Sequence, residues 1–202
     1  MAIAPSAIAR GKLLPRRACG IAPWRAACWL LLACCSFAAL AQADIDAATA
    51  ERRIKAAFIY KFAGYIEWPA KSFVSADAPI VIGVEGDESL ADELARIVVG
   101  RKAADRHVEV RKLARGAAAA GLHAVYVADP RDDRIAAIAP PSAPTLVITA
   151  APGAFPAGST INFVVVDEHM RFEASVDDAE RRGLKLSSRL LAVAQNVINE
   201  TP

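Results

Sequence analysis

Between Pro79 and Ala150 the chain alternates apolar runs of strand length with segments of helical pattern, and this alternation limits the folds open to it. Pro79 to Val84 (Pro-Ile-Val-Ile-Gly-Val) reads as a buried strand. A helix is predicted over Leu90 to Val99, capped by Ser89 and ended by Gly100. His107 to Leu113 sets Val108, Val110 and Leu113 against Glu109, Arg111 and Lys112, as a half-exposed strand does. Ala114 to Gly121 is rich in alanine and reads as a short helix. Ala124 to Ala128 is a strand, Asp129-Pro130 turns into a helix over Arg131 to Ile138, and Thr145 to Ala150 is a further strand. Strands that alternate with helices in this way are joined by parallel crossovers.

The flanking regions have a different style. A helix is predicted from Ala48 to Ile66, with Ile54, Ala57, Phe58, Phe62, Tyr65 and Ile66 on its apolar face. Ile59 and Ala63 widen that face, and Arg52, Arg53, Lys55 and Lys61 are left to solvent. Trp68-Pro69 ends the helix, because proline disfavours a helical residue before it. Tyr65 is expected to fill the core, and Trp68 is a candidate for a partner surface. Towards the C-terminus, Thr160 to Asp167 and Met170 to Val176 form a hairpin about Glu168-His169. Asp177 and Glu180 start a short helix closed by Gly183. Ser187 or Ser188 caps a final helix with the stripe Leu190, Leu191, Ala194, Val197 and Ile198. The expected architecture is a single α/β domain: a mixed, mostly parallel sheet with flanking helices and a C-terminal β-hairpin plus helix.

The N-terminus looks like an export signal. Arg10, Lys12, Arg16, Arg17 and Arg25 precede an apolar run from Ala26 to Ala41, which ends in Ala41-Gln42-Ala43. A positive flank, a short apolar core and a small-x-small site are the parts of a secretory signal peptide. The run is shorter than the roughly 20 residues a spanning helix needs. An uncleaved anchor and a lipoprotein site at Leu31-Leu32-Ala33-Cys34 are the lesser alternatives. The expected division is residues 1–43 as signal and 44–202 as a periplasmic domain. Cleavage removes five of the 24 basic residues and none of the 22 acidic ones, so the net charge moves from +2 to −3. A mildly acidic domain has no electrostatic reason to bind nucleic acid. All four cysteines (Cys19, Cys28, Cys34 and Cys35) precede the cut, so the exported domain has no disulfide, thiolate or cysteine metal site.

No catalytic constellation is visible. His107, His123 and His169 lack metal-ligand spacing, and no cofactor site is expected. The turn at Gly83 to Ser89 sits where a phosphate loop would, but Glu85, Asp87 and Glu88 would repel a phosphate. The acidic clusters Asp129/Asp132/Asp133 and Asp177/Asp178 are explained by favourable placement at predicted helix starts. The reading is not an enzyme.

Two blocks resemble a known family. Residues 55–69 (Lys-Ala-Ala-Phe-Ile-Tyr-Lys-Phe-Ala-Gly-Tyr-Ile-Glu-Trp-Pro) are similar to the opening helix of YfiR/HmsC-like periplasmic proteins. Residues 161–191 resemble the closing block of that family, through Ile-Asn-Phe-Val-Val-Val-Asp, then Arg171-Phe172-Glu173, then Gly183-Leu184-Lys185-Leu186-Ser187-Ser188-Arg189-Leu190-Leu191. The resemblance implies a non-enzymatic repressor, typically dimeric, that binds the periplasmic sensor region of a membrane diguanylate cyclase and lowers cyclic di-GMP signalling. It also implies an outer-membrane lipoprotein that can sequester the repressor. Relatives under redox control carry disulfides, and the missing cysteines put such control in doubt here.

Two binding surfaces are expected on that basis. Arg171 and Glu173 share one face of a strand, with Phe172 on the other. Arg171, Lys185 and Ser187 or Ser188 would form a polar pocket for an anion or a partner carboxylate. Lys61, Glu67 and Trp68 would form an edge that meets the sensor domain. The alternative function is a periplasmic small-molecule binding protein serving a sensor or transporter, and a secreted hydrolase is a third reading.

Overall fold

The computed structural model describes residues 47–199. The predicted signal peptide and all four cysteines lie outside the described residues. The first helix, α1, covers 47–65. Its buried stripe is Ala56, Ile59, Phe62 and Ala63, continued by Ile66 just beyond the helix. This corrects the predicted face. Ile54 is 44% exposed and Tyr65 38%, so Tyr65 does not fill the core. The helix carries two apolar stripes, and periodicity alone does not choose between them. The sheet takes the stripe with Ala56 and Ala63, whose small side chains let the helix approach closely.

The chain then forms β1 (Ile66–Glu67), a 3-10 turn (Ala70–Ser72) and β2 (Ile80–Glu85), which is buried throughout. Next comes α2 (Glu88–Val98). Its cap is Asp87 rather than Ser89: the Asp87 carboxylate accepts the Leu90 N–H at 2.9 Å. A two-residue strand β3 (Lys102–Ala103) pairs antiparallel with β4 (Arg106–Leu113). Residues 114–121 are turns and not a helix. Gly116 and Gly121 both have positive φ, and the few residues between them cannot offset the cost of nucleating a helix. Then follow β5 (Ala124–Val127), α3 (Asp132–Ile138) and β6 (Leu146–Thr149).

The hairpin is β7 (Ile161–Val166) and β8 (His169–Ser175), turned by Asp167 and Glu168, both in the left-handed region. α4 (Val176–Arg181) is capped by Ser175, whose hydroxyl accepts the Asp178 N–H at 3.1 Å. β9 (Lys185–Leu186) and α5 (Ser188–Leu191) follow. The predicted final helix is cut short. Asn196–Ile198 is instead a strand, β10, lying parallel to β8 with Val197 opposite Ala174.

Eight strands form one sheet in the order β10-β8-β7-β6-β5-β2-β4-β3. Its pairs are parallel except the β7–β8 and β3–β4 hairpins. β1 and β9 form a separate antiparallel ladder. The expected α/β class and mixed, mostly parallel sheet are therefore what the chain adopts.

Alternation along the strands divides the core. Ile80, Ile82, Val84, Ala124, Tyr126, Leu146 and Ile148 face α1, α2 and the hairpin phenylalanines. Val81, Val125, Val127 and Val147 face Ile135 and Ile138 of α3. Each fully buried Ile or Leu contributes about 1.5–3 kcal/mol.

Candidate partner surface

The stripe of α1 that the sheet does not use includes Ile54, Phe58, Lys61 and Tyr65, spaced by four, three and four residues. A helix apolar on more than one face normally has more than one partner. Phe58 fills part of this stripe by packing sideways. Its ring lies 5.9 Å from Phe172 and 6.0 Å from Phe163, edge-on to both. Phe62 meets Phe172 at 4.9 Å. These four phenylalanines fix β7 and β8 against α1, and edge-to-face packing of this kind adds about 0.5–1.5 kcal/mol per pair.

Beside them lies a hollow of about 280 Å³. Phe58, Phe62 and Phe172 form its base, and Tyr65, Leu190 and Val193 line it further. Lys61 and Arg189 also line it. Val193 is 65% exposed. A second hollow of about 230 Å³ lies towards the start of α1, between Lys55 and the hairpin residues Val165 and Met170. Val165 is also largely exposed. One face of the molecule therefore presents apolar side chains in two neighbouring hollows, with cations beside the larger one.

The residues picked from the sequence do not fall in one place. Lys61 lines the larger hollow. Glu67 lies in β1 directly opposite Lys185 in β9, so members of two separately predicted surfaces face each other across one ladder. Trp68 is half-buried, and its indole N–H donates to the His123 carbonyl at 3.3 Å. Ser187 caps α5 by accepting the Leu190 N–H at 3.3 Å, and its own N–H donates to the Tyr65 carbonyl at 3.0 Å. Ser188 is the exposed first residue of α5. Arg171 and Glu173 project from the face of β8 opposite Phe172, as alternation predicts. Phe172 is the residue that meets α1, whereas Lys185 and Ser187 are held at the end of α1. No hydrogen bond or ion pair joins Arg171 to Lys185 or either serine among the described residues.

Sequence reasoning missed two buried ionic sites. Arg182 has a fully buried side chain, and its Nε donates to Asp178 at 2.7 Å. Its Nη groups donate to the carbonyls of Pro140 and Gly158 at 3.1 and 2.8 Å. Asp178 also accepts from Thr160 at 2.6 Å. Glu85, with no exposed surface, pairs with Arg134 of α3 and accepts the Gly116 N–H at 3.0 Å. Nearby, Asn162 clamps Ala151, accepting its N–H at 2.8 Å and donating to its carbonyl at 3.1 Å. The i,i+4 spacing of Asp178 and Arg182 was the one available signal, and such a pair ordinarily reads as solvated helix surface.

These clusters bind structure to structure. Among the described residues no group of His, Cys, Asp or Glu could hold a metal ion. No described helix is long and apolar enough to cross a membrane. The architecture is that of a single α/β domain with exposed apolar side chains on its α1 face. A family model described as YfiR/HmsC-like matches residues 52–195, more than two-thirds of the chain. The chain belongs to the YfiR/HmsC-like family, whose members are regulators associated with membrane diguanylate cyclases. No curated protein is significantly similar to it.

Proposed function

We propose that this chain, freed of residues 1–43, is a periplasmic repressor that binds the sensor region of an inner-membrane diguanylate cyclase and keeps cyclic di-GMP low. Family membership gives the class of partner, and the outward stripe of α1 supplies the observation that carries the reading. Ile54 and Tyr65 are exposed on a helix whose other apolar face is already buried. Exposed aromatic and aliphatic groups beside a hollow are what a protein partner covers. The proposed contact surface is the Tyr65–Val193 hollow together with the Lys61, Glu67 and Trp68 edge. Arg171 and Glu173, on the other face of β8, are left out of it. A homodimer and an outer-membrane lipoprotein that competes for the same surface belong to this reading.

The hollow, at about 280 Å³, falls just below the usual range for drug-sized ligands, roughly 300–1,000 Å³. The exposed apolar side chains around it, rather than its volume, favour a protein partner over the small-molecule alternative. Deleting the gene in its host should raise cyclic di-GMP, and supplying the exported domain should restore the low level. A Tyr65→Ser, Val193→Ser double variant should be exported and folded yet fail to restore it. Full restoration by that variant would remove the apolar face from the mechanism. No rise on deletion would remove the repressor reading itself.

A further inference from the structure

The segment from Trp68 to Ala78, which links β1 to β2, crosses the base of the sheet with little regular structure of its own. Most of its polar attachments converge on two side chains. His123, 7% exposed at the start of β5, is the first. Its Nδ1 accepts the Val81 N–H at 3.1 Å, so that nitrogen carries no proton. Its Nε2 must then be the protonated one, and it donates to the Ser72 carbonyl at 3.1 Å. The network therefore fixes a neutral ring in one tautomer. The His123 carbonyl accepts from the Trp68 indole. Phe73 stacks on the imidazole at 4.5 Å, with 21° between the ring planes. Arg106 of β4 is the second. It lies over the Phe73 ring, 3.7 Å from the centroid, and donates to the carbonyls of Ala78 and Ser75 at 2.7 and 3.2 Å.

We propose that His123 is an acid-sensitive fastener for the strap 68–78: a proton arriving on Nδ1 breaks the bond to Val81, unstacks Phe73 and releases the strap together with Trp68. Protonation would set a ring N–H against the Val81 N–H, donor against donor. Leaving that buried amide unpaired is costly. The charged neighbours offer no compensation. Arg106 reaches the ring's surroundings from β4, and Lys71 lines the same hollow from the 3-10 turn. The elements packed on the other sides contribute Val81, Leu122 and Thr145, none of them ionisable. The charge that acts on the ring, that of Arg106, is therefore a cation. Burial, together with Arg106, lowers the His123 pKa, with the Ser72 carbonyl opposing them. A hollow of about 250 Å³, lined by Ser72, His123 and Thr145, gives water and protons a way in.

The consequence for regulation rests on the repressor reading above. Trp68 follows directly on β1, so a released strap reshapes the Lys61, Glu67 and Trp68 edge, and repression would weaken in acid.

The test is amide exchange and histidine ring nitrogen NMR on the exported protein from pH 8 to 4.5, with exchange corrected for its intrinsic pH dependence. At neutral pH His123 should show the Nε2–H tautomer. Between the ordinary histidine value of 6.5 and the lower folded value, strap opening should rise by up to about tenfold per pH unit, as for one linked proton. Exchange in β5 and β6 should not follow. His123→Asn keeps an acceptor for Val81 and cannot ionise, so its strap exchange should be flat with pH. Titration of His123 with no change at 68–78 in the native protein overturns the fastener. A pH response retained in His123→Asn overturns it too. Strap opening with cyclase binding unchanged from pH 7.5 to 5.5 would leave the fastener standing and remove Trp68 from the partner surface.

Discussion

The two faces of the central sheet are finished in different ways. On the α3 face buried polar groups pair with one another, although Glu85 Oε2 and Arg134 Nε are left without a partner among the described residues. Arg182 is held by Asp178 and loop carbonyls, Glu85 by Arg134 and Gly116, and Asn162 by Ala151. On the α1 face the buried set is almost wholly apolar, and apolar side chains continue past it to Ile54, Tyr65, Val165 and Val193 at the surface. Separating a buried ion pair strands charge away from water, so the α3 face resists rearrangement. An apolar surface is satisfied by any partner of fitting shape. On the proposed function, recognition lies on the side of the sheet opposite the buried ion pairs.

That contrast makes unequal demands on the two faces. Arg182→Ala should cost about 3–5 kcal/mol, because it strands a buried Asp178 carboxylate, and denaturant unfolding would measure it. A loss below about 1 kcal/mol would mean the α3 face does not depend on that pair. Gly83→Val should come next, at about 1–3 kcal/mol of overpacking. A Cβ there would lie 2.5 Å from Leu122 and 2.7 Å from Leu113, so the leucines must shift before any larger side chain fits. Acid should destabilise the fold through His123. Its folded pKa is lowered, so its contribution is present above 6.5 and is lost as pH falls from there towards the folded value. A stability–pH curve that His123→Asn leaves unchanged would discount that residue. Tyr65→Ser should alter stability by no more than about 0.5 kcal/mol while weakening partner binding. Equal losses of both would mean that the α1 face is structural after all. Glu168→Gly should stabilise by about 0.4–1 kcal/mol, because Glu168 sits at φ 62 in the hairpin turn, where glycine is at ease.

The parts legible in the sequence were those set by neighbours along the chain. β2, β5, β6 and β7 are apolar runs of strand length, and each one is found. The α1 helix was legible but its orientation was not, since Ile54 and Tyr65 keep helical spacing as faithfully as Ile59 and Ala63. The final helix failed for a related reason. Leu190, Leu191, Ala194, Val197 and Ile198 keep a helical step, yet β8 offered Val197 and Ile198 a free edge, and pairing there won. The candidate surface was half visible. Lys61, Glu67 and Trp68 were picked from the sequence as a partner edge, while Val193 and Arg189 join Lys61 and Tyr65 only through tertiary structure. Arg182 and His123 looked like ordinary polar residues because partners 24 to 51 positions away decide their burial.

The ladder between β1 and β9, and the meeting of Phe62 with Phe172, tie the beginning of the chain to its end. A polypeptide that emerges amino end first, from a ribosome or through a translocation pore, therefore exposes α1 long before its cover exists. Phe58 and Phe62 stay without their hairpin partners until roughly 100 further residues have arrived. Such late closure makes assembly slow and leaves a sticky helix waiting.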